Sequence, residues 1–243
     1  MSEERPGQEE RLEEKKADEK KITRRAYLKY AGGIVAAGAI AAAGYGAYQF
    51  YGRPITPITT APTSTMTTLS EALRHRKSIN GFQQRPLSSE RLLDLLWAAW
   101  GINRPDSGKR TAPTAMNSQA IDVYVLLPEG AYLYDARGNQ LTPVLAEDLR
   151  AEAATQEFIK EAPILLVFVA DYAKFRNIPQ PQMELYSAAH TGFIGQNVYL
   201  YCASEGLGAH FYASIDRASL TDSLKLRSDQ AIVFAQAVGY PKE

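Results

Sequence analysis

The seven residues Ile164-Leu-Leu-Val-Phe-Val-Ala170 contain no polar side chain. As a strand, such a run is apolar on both faces, so it must lie inside a sheet covered on each side. A second stretch, Ala188 to Glu205, reads as a long apolar helix that must also be central. Strand and helix signals alternate irregularly around these two, with hairpins among them. That mixture predicts an α+β domain, a mixed sheet flanked by helices.

The remaining elements follow from local chemistry. Thr68 to Lys77 reads as a helix capped by Thr68, with Glu71 three residues on as a capping box. Ser88 or Ser89 caps a second helix, on which Leu92, Leu95, Leu96 and Ala99 recur at helical spacing until Gly101. Trp97 and Trp100 on that helix are core residues. Asp122 to Leu127 reads as a strand, and Tyr132 to Thr142 as a hairpin turning at Arg137-Gly138-Asn139. A helix is expected through Leu145 to Lys160, and final strands at His210–Ala213 and Ile232–Val238.

The N-terminal portion cannot join this core. Residues 1–30 hold eight acidic and nine basic side chains, and 1–22 read as a charged, solvated cytoplasmic tail. Thr23-Arg24-Arg25-Ala26-Tyr27-Leu28-Lys29 then precedes an uncharged, Ala/Gly-rich run from Tyr30 to Gly52. This pattern resembles a twin-arginine export signal, which implies the twin-arginine machinery as a partner and export in a folded, cofactor-bearing state. Paired arginines also precede ordinary anchors, since positive charge stays on the cytoplasmic side. The run matches the roughly 20 residues that span a bilayer. Tyr45, Tyr48, Phe50 and Tyr51 at its far end suit a membrane interface, which favours a retained anchor through residues 30–52. Small residues around Ala41–Ala43 leave cleavage open. Residues 53–66 are a Pro/Thr-rich spacer, and 67–243 form one domain on the outer face of the cytoplasmic membrane.

Composition excludes several classes. With 27 basic and 27 acidic residues in 243, no net charge draws the chain to nucleic acid. The single cysteine, Cys202, rules out an intramolecular disulfide and sits in an apolar helical stretch as a buried thiol. The three histidines, His75, His190 and His210, are scattered, so no zinc site is expected. No catalytic triad, phosphate loop or carboxylate pair is found.

Two segments do carry binding chemistry. Arg74-His75-Arg76-Lys77-Ser78 ends the first helix with cations and a hydroxyl that can hold a phosphate, or that can simply neutralise the helix dipole. Thr111-Ala-Pro-Thr-Ala-Met-Asn117-Ser-Gln119 is a polar loop of small residues leading into a strand. A planar ligand can lie against such a backbone, and Asn117 offers paired donor and acceptor contacts to a heterocycle.

The order Arg76-Lys-Ser78-Ile-Asn80-Gly-Phe82, Pro113-Thr-Ala-Met-Asn117-Ser-Gln119, Gly206-Leu-Gly208 and Val238-Gly-Tyr240-Pro resembles the FMN-dependent nitroreductase superfamily, across 68–243. His190 to Asn197 and Leu95 to Gly101 resemble its thiazoline/oxazoline dehydrogenase branch. The resemblance implies a three-layer fold and an intertwined homodimer with FMN at the interface. By it, Arg76, Lys77 and Ser78 hold the flavin phosphate and ribityl chain. Asn80 replaces the arginine or lysine usual at the pyrimidine edge. Pro113, Thr114 and Ala115 line the isoalloxazine pocket or approach the partner's, Asn117 contacts the ring and Gln119 supports it. His190 falls where a polar group meets the pyrimidine, although it also reads as a capped helix start. The backbone at Ala213 and Ser214 points to flavin N5. The chain given ends at Glu243, which leaves Lys242 for the phosphate and no extension to embrace a partner.

The implied activity is two-electron, ping-pong transfer through N5, with no catalytic side chain, to a small-molecule acceptor or substrate. NAD(P)H is a doubtful donor outside the cytoplasm, where a quinol or redox protein is expected instead. The alternative is a flavin-binding or flavin-free interaction subunit without turnover.

Overall fold

The computed structural model describes residues 68–242. The charged tail, the twin-arginine segment with its apolar run, and the Pro/Thr spacer lie outside the described residues. Among those described, no helix is long and apolar enough to cross a membrane.

The expected central strand is present as β6, Ile164–Asp171, and all eight of its residues are buried. It is flanked by β3 (Ile121–Leu127) and β8 (Gln230–Gly239), hydrogen-bonded antiparallel to each. With β4 (Gly130–Asp135), β5 (Gln140–Leu145) and β7 (Gly208–Tyr212) the sheet runs in the order β5-β4-β3-β6-β8-β7. All these pairings are antiparallel, where a mixed sheet was expected; among the described residues the one parallel contact is an isolated bridge, Ser78 to Ala209.

Side chains alternate along β6, so each face feeds a different core. Ile164, Leu166 and Phe168 pack with Leu92 and Leu96 of α2 (Ser89–Trp100) and with Ile194 and Val198 of α5 (Gln180–Ser204). Leu165, Val167 and Val169 face Leu149, Ile159 and Leu220. Helix therefore covers sheet on both sides, as the unbroken apolar run requires.

Helix α1, Leu69–His75, carries the expected box: Thr68 Oγ1 accepts from Glu71 N–H, and Thr68 N–H donates to the Glu71 carboxylate at 2.8 Å. It stops two residues before Lys77, so Arg76 to Ser78 leave in extended backbone. Ser88 is the cap of α2, which ends at Gly101. Trp100 is buried and its indole N–H donates to Ile121 O at 2.9 Å; Trp97 is only partly covered. Cys202 is buried, and burial pushes its thiol up, away from reactivity.

Three regions depart from the sequence reading. The helix expected over Leu145–Lys160 is instead the end of β5 and two short helices, α3 (Arg150–Ala153) and α4 (Glu157–Lys160). Thr155 N–H donates to Ser214 O at 3.2 Å, which replaces a helical bond and lets Ala154 and Ile159 both turn inward. Helix α5 starts eight residues before Ala188, because Pro181 in its first turn needs no N–H partner and its first turns are solvated. A small hairpin, β1 (Ile102–Arg104) with β2 (Lys109–Arg110), and a seven-residue helix, α6 (Arg217–Ser223), lack a legible pattern.

Gly208 opens β7 where a Cβ would meet Ile79 Cγ1 at 2.7 Å. Ile79 in turn donates its N–H to Ala209 O at 3.1 Å, so this close approach fixes where Ser78 lies. Gly208→Val should cost about 1–3 kcal/mol through overpacking. Urea unfolding measures it, and an unchanged midpoint would refute the packing argument.

Candidate functional site

One helix organises the residues singled out above. The buried stripe of α5 contains Ser187, His190, Thr191, Ile194, Gly195, Val198 and Cys202, the i, i+3, i+4, i+7 spacing of a face turned inward. His190 and Tyr199 project from this helix nine residues apart, about 13 Å along its axis. Each gathers a separate group of site residues.

At the Tyr199 end, its hydroxyl accepts from Phe211 N–H at 2.8 Å and lies 2.7 Å from Ser78 Oγ. The Arg76 guanidinium sits over the Tyr199 ring, 5.3 Å from its centre. That contact orients the cation without neutralising it. Among the described residues, none of Arg74, Arg76 and Lys77 forms an ion pair. His210 Nδ1 lies 3.0 Å from Ile79 O, and its ring meets Phe158 edge-on. Arg76 and Lys77, unpaired and next to the Ser78 hydroxyl, have the chemistry that could hold an anion.

At the His190 end the polar loop folds back on itself. Met116, Asn117 and Gln119 all adopt left-handed backbone, with φ of 53°, 52° and 48°. Non-glycine residues hold that conformation only when their surroundings impose it. Gln119 supplies much of the restraint. Its N–H donates to Thr114 Oγ1, its side-chain amide donates to Gly108 O at 2.9 Å and to Asn117 Oδ1 at 3.1 Å, and its carbonyl accepts from Arg110 at 2.8 Å. Arg110 is itself fixed on Trp100, donating to its backbone oxygen at 2.7 Å and stacking on its ring. Gln119 thus braces the loop, and Asn117 is exposed with its side-chain oxygen accepting from Gln119. A cavity of about 360 Å³ lies between this loop and the segment after β6, lined by Met116, Asn117, Ser118, Lys174, Phe175 and Arg176.

His190 stands in mid-helix, so it does not cap a helix start. It is 1% exposed, and its Nε2 accepts the Ala115 N–H at 2.8 Å. Ala115 thus faces the helix, while Pro113 is exposed beside it. Ala213 and Ser214 follow β7, with their carbonyls turned into the protein: Ala213 O accepts from Ile215 and Arg217, Ser214 O from Thr155. Asn80 is exposed in a bend next to Gly81. Lys242 lies against Gly81, yet its ammonium is bound to Glu161 at 2.6 Å. The cation expected at the phosphate from the C-terminal end is thus already partnered.

Tyr199, Arg110 and the Lys174–Arg176 segment were not singled out from sequence. Tyr199 was hidden in an apolar helix, where an aromatic reads as core. No group of His, Cys, Asp or Glu among the described residues is arranged to hold a metal.

A family model described as the nitroreductase family matches residues 73–240. A curated protein of Methanocaldococcus jannaschii, named as a nitroreductase, is 28% identical over 169 residues, covering 65% of this chain and 85% of the relative. Among solved structures, one described as a nitroreductase of Ralstonia eutropha JMP134 is 38% identical, covers 79% of this chain and 94% of its own, and superposes with a TM-score of 0.71. Another from Desulfovibrio desulfuricans, solved in complex with FMN, is 21% identical over 74% of this chain and 89% of its own, with a TM-score of 0.54. The last shares the fold.

The two hydrogen bonds of Tyr199 tie α5 to β7 and to Ser78. Removing its hydroxyl in Tyr199→Phe leaves Phe211 N–H without this acceptor and should cost about 0.5–1.5 kcal/mol. Chemical denaturation checks this; a variant as stable as wild type would show that the hydroxyl holds nothing.

Proposed function

The chain belongs to the nitroreductase family of flavin-dependent oxidoreductases, and from that premise we propose that residues 67–243 bind FMN and perform two-electron chemistry outside the cytoplasmic membrane, tethered by residues 23–52. The observation that carries this reading is the pairing along α5: an unneutralised cationic site at one end and a strained, supported loop at the other. A phosphate suits the first and a flat heterocycle the second.

The residues fit FMN in kind. Arg76, Lys77 and Ser78 would take the phosphate. Asn117, held by Gln119, would meet the ring, with Pro113, Thr114 and Ala115 forming the pocket wall. Ala213 and Ser214 would offer backbone N–H groups to the ring. Asn80 is a weaker partner than the usual cation, and Lys242 would first have to leave Glu161. Bound FMN would supply two-electron transfer at N5, a reductant and then an acceptor using the same face in turn. The protein's own task is orientation and exclusion of water, which needs no titrating acid or base beside the ring. Placement beyond the membrane argues against NAD(P)H and for a quinol or redox protein as donor, with a small molecule as acceptor. Within the family, His190–Asn197 and Leu95–Gly101 ally the chain with the thiazoline/oxazoline dehydrogenase branch.

A homodimer belongs to the same reading. Leu185 and Phe193 are exposed on α5, 66% and 47%, and Leu69 and Leu73 are exposed one turn apart on α1. Gly192 lies beside Phe193 with open space where a Cβ would point. A glycine in mid-helix costs about 1 kcal/mol against alanine. Nothing among the described residues uses that loss, whereas close approach of a second helix would.

The visible spectrum of the purified protein tests the cofactor. A band near about 450 nm at one FMN per chain is expected, and reduction by dithionite but not NADH would mark a non-nicotinamide donor. Arg76→Ala should weaken FMN binding by about 10- to 100-fold, the range of a charged hydrogen bond. Absence of flavin after FMN is supplied would defeat the reading. For the dimer, Phe193→Glu should convert a two-chain species to one chain in sedimentation. A wild type that sediments as a monomer would exclude this interface.

A further inference from the structure

The resemblance to the family assigns His190 to the ring of the cofactor, but the structure gives its ring nitrogens other work. The imidazole has two near-parallel aromatic neighbours, Phe175 at 6.2 Å and 18° and Tyr186 at 6.3 Å and 15°. Those rings, with burial of all but 1% of the residue, fix the plane of the imidazole. Its Nε2 accepts the Ala115 N–H at 2.8 Å. An accepting Nε2 carries no proton, so the neutral ring holds its proton on Nδ1. Nδ1 is buried without a partner, and so is Ser187 Oγ one turn earlier on α5. Nothing therefore stabilises a second proton on this ring.

The bond is made at one end of the strained loop. Ala115 directly precedes Met116 and Asn117, whose left-handed backbone is unfavourable for side chains of this kind. The far end is fixed by Gln119. The turn's own bonds, Asn117 N–H to Thr114 O and Ser118 N–H to Ala115 O, remain if His190 lets go, but the loop then loses its tie to α5.

We propose that His190 is a positioning residue, which as a neutral imidazole clamps Ala115 and thereby holds Asn117 in the conformation that meets the ring of the bound flavin. The proposal rests on the FMN reading for its consequence, though not for the clamp itself. A protonated imidazole has two donors and no acceptor, so it opposes the Ala115 N–H. Burial alone lowers the affinity of His190 for that proton, with no charged neighbour contributing. The charged groups on the adjoining segment are Lys174, paired with Asp122 and Asp171, and Arg176; its own helix carries Tyr186 beside it and Glu184 further toward the N-terminus. The sign follows. The released loop exposes a histidine near its ordinary pKa of about 6.5, and the clamped loop holds one below it. Falling pH through and below about 6.5 therefore favours release, and rising pH favours the clamp.

The test uses the full-length protein with His190→Leu and His190→Gln, the glutamine amide oxygen being able to accept at a similar reach. In the flavin-free protein, amide exchange of the peptide spanning Ala115 should be slow in wild type and His190→Gln and fast in His190→Leu, while exchange in β6 stays unchanged. With FMN added, His190→Leu should bind about tenfold more weakly, the scale of one lost hydrogen bond in a buried site. Wild type should lose FMN affinity between about pH 7.5 and 5.5, and His190→Gln should not. Equal exchange in wild type and His190→Leu overturns the clamp. So does a glutamine variant with the same acid-side loss as wild type, which keeps the proposal falsifiable if the leucine variant fails to fold. Altered exchange in a protein that binds no FMN upholds the clamp and removes the flavin reading instead.

Discussion

The strand β6 is the constraint on which everything else depends. Its apolar residues from Ile164 to Val169 are essentially inaccessible to solvent, and burying six such side chains contributes on the order of 9–18 kcal/mol. That gross figure matches or exceeds the whole net stability of a typical domain, about 5–15 kcal/mol. A strand so apolar cannot be satisfied by one covering layer. It recruits α2 and α5 on one face and α3, α4 and α6 on the other. The position of α5 is thus a consequence of the sheet, and the site is a consequence of α5.

Helix α5 serves two demands with one stripe. Ile194, Val198 and Cys202 fill the core, but Ser187, His190 and Thr191 extend the same stripe into polar chemistry. A rigid helix spaces two binding groups more reproducibly than loops do, because its rise per residue is fixed. The loop with Asn117 and the cations at Arg76 and Lys77 are each irregular backbone. What keeps them in register is that each is tied to a residue of this helix, Ala115 to His190 and Ser78 to Tyr199.

Much of this was legible in the sequence where a single physical demand decided the outcome. The unbroken run at Ile164–Ala170 required a doubly covered strand; Thr68 and Glu71 required a capped helix; Arg137-Gly138-Asn139 required a turn. Legibility failed where two demands competed. Leu145–Lys160 has helix-forming composition, yet a tertiary bond from Thr155 to Ser214 divides it. The start of α5 was obscured because its first turns face solvent and carry no apolar period. In the site, residue types that bind by charge or amide were readable as candidates, although a basic helix end such as Arg76-Lys77 also serves to neutralise a helix dipole. Their supports were legible only in part. Gln119 was readable as a brace for Asn117, but Tyr199 acts on Ser78 across 121 residues, and no local spacing encodes such a partner.

The same distinction bears on what sort of chemistry the fold can host. A site that moves protons needs groups whose ionisation is tuned, and this one gathers none at the exposed loop. The histidine at that loop, His190, is spent on backbone, the cysteine is sealed in the core, and the nearby carboxylates, Asp122 and Asp171, are bound by Lys174 and Arg227. Restraint is what the structure supplies instead: a loop held in left-handed backbone, an arginine seated on tryptophan, a cation poised over tyrosine. Such an arrangement is suited to holding a reactive group that brings its own chemistry. The side chains would then govern how tightly and at what angle that group is held.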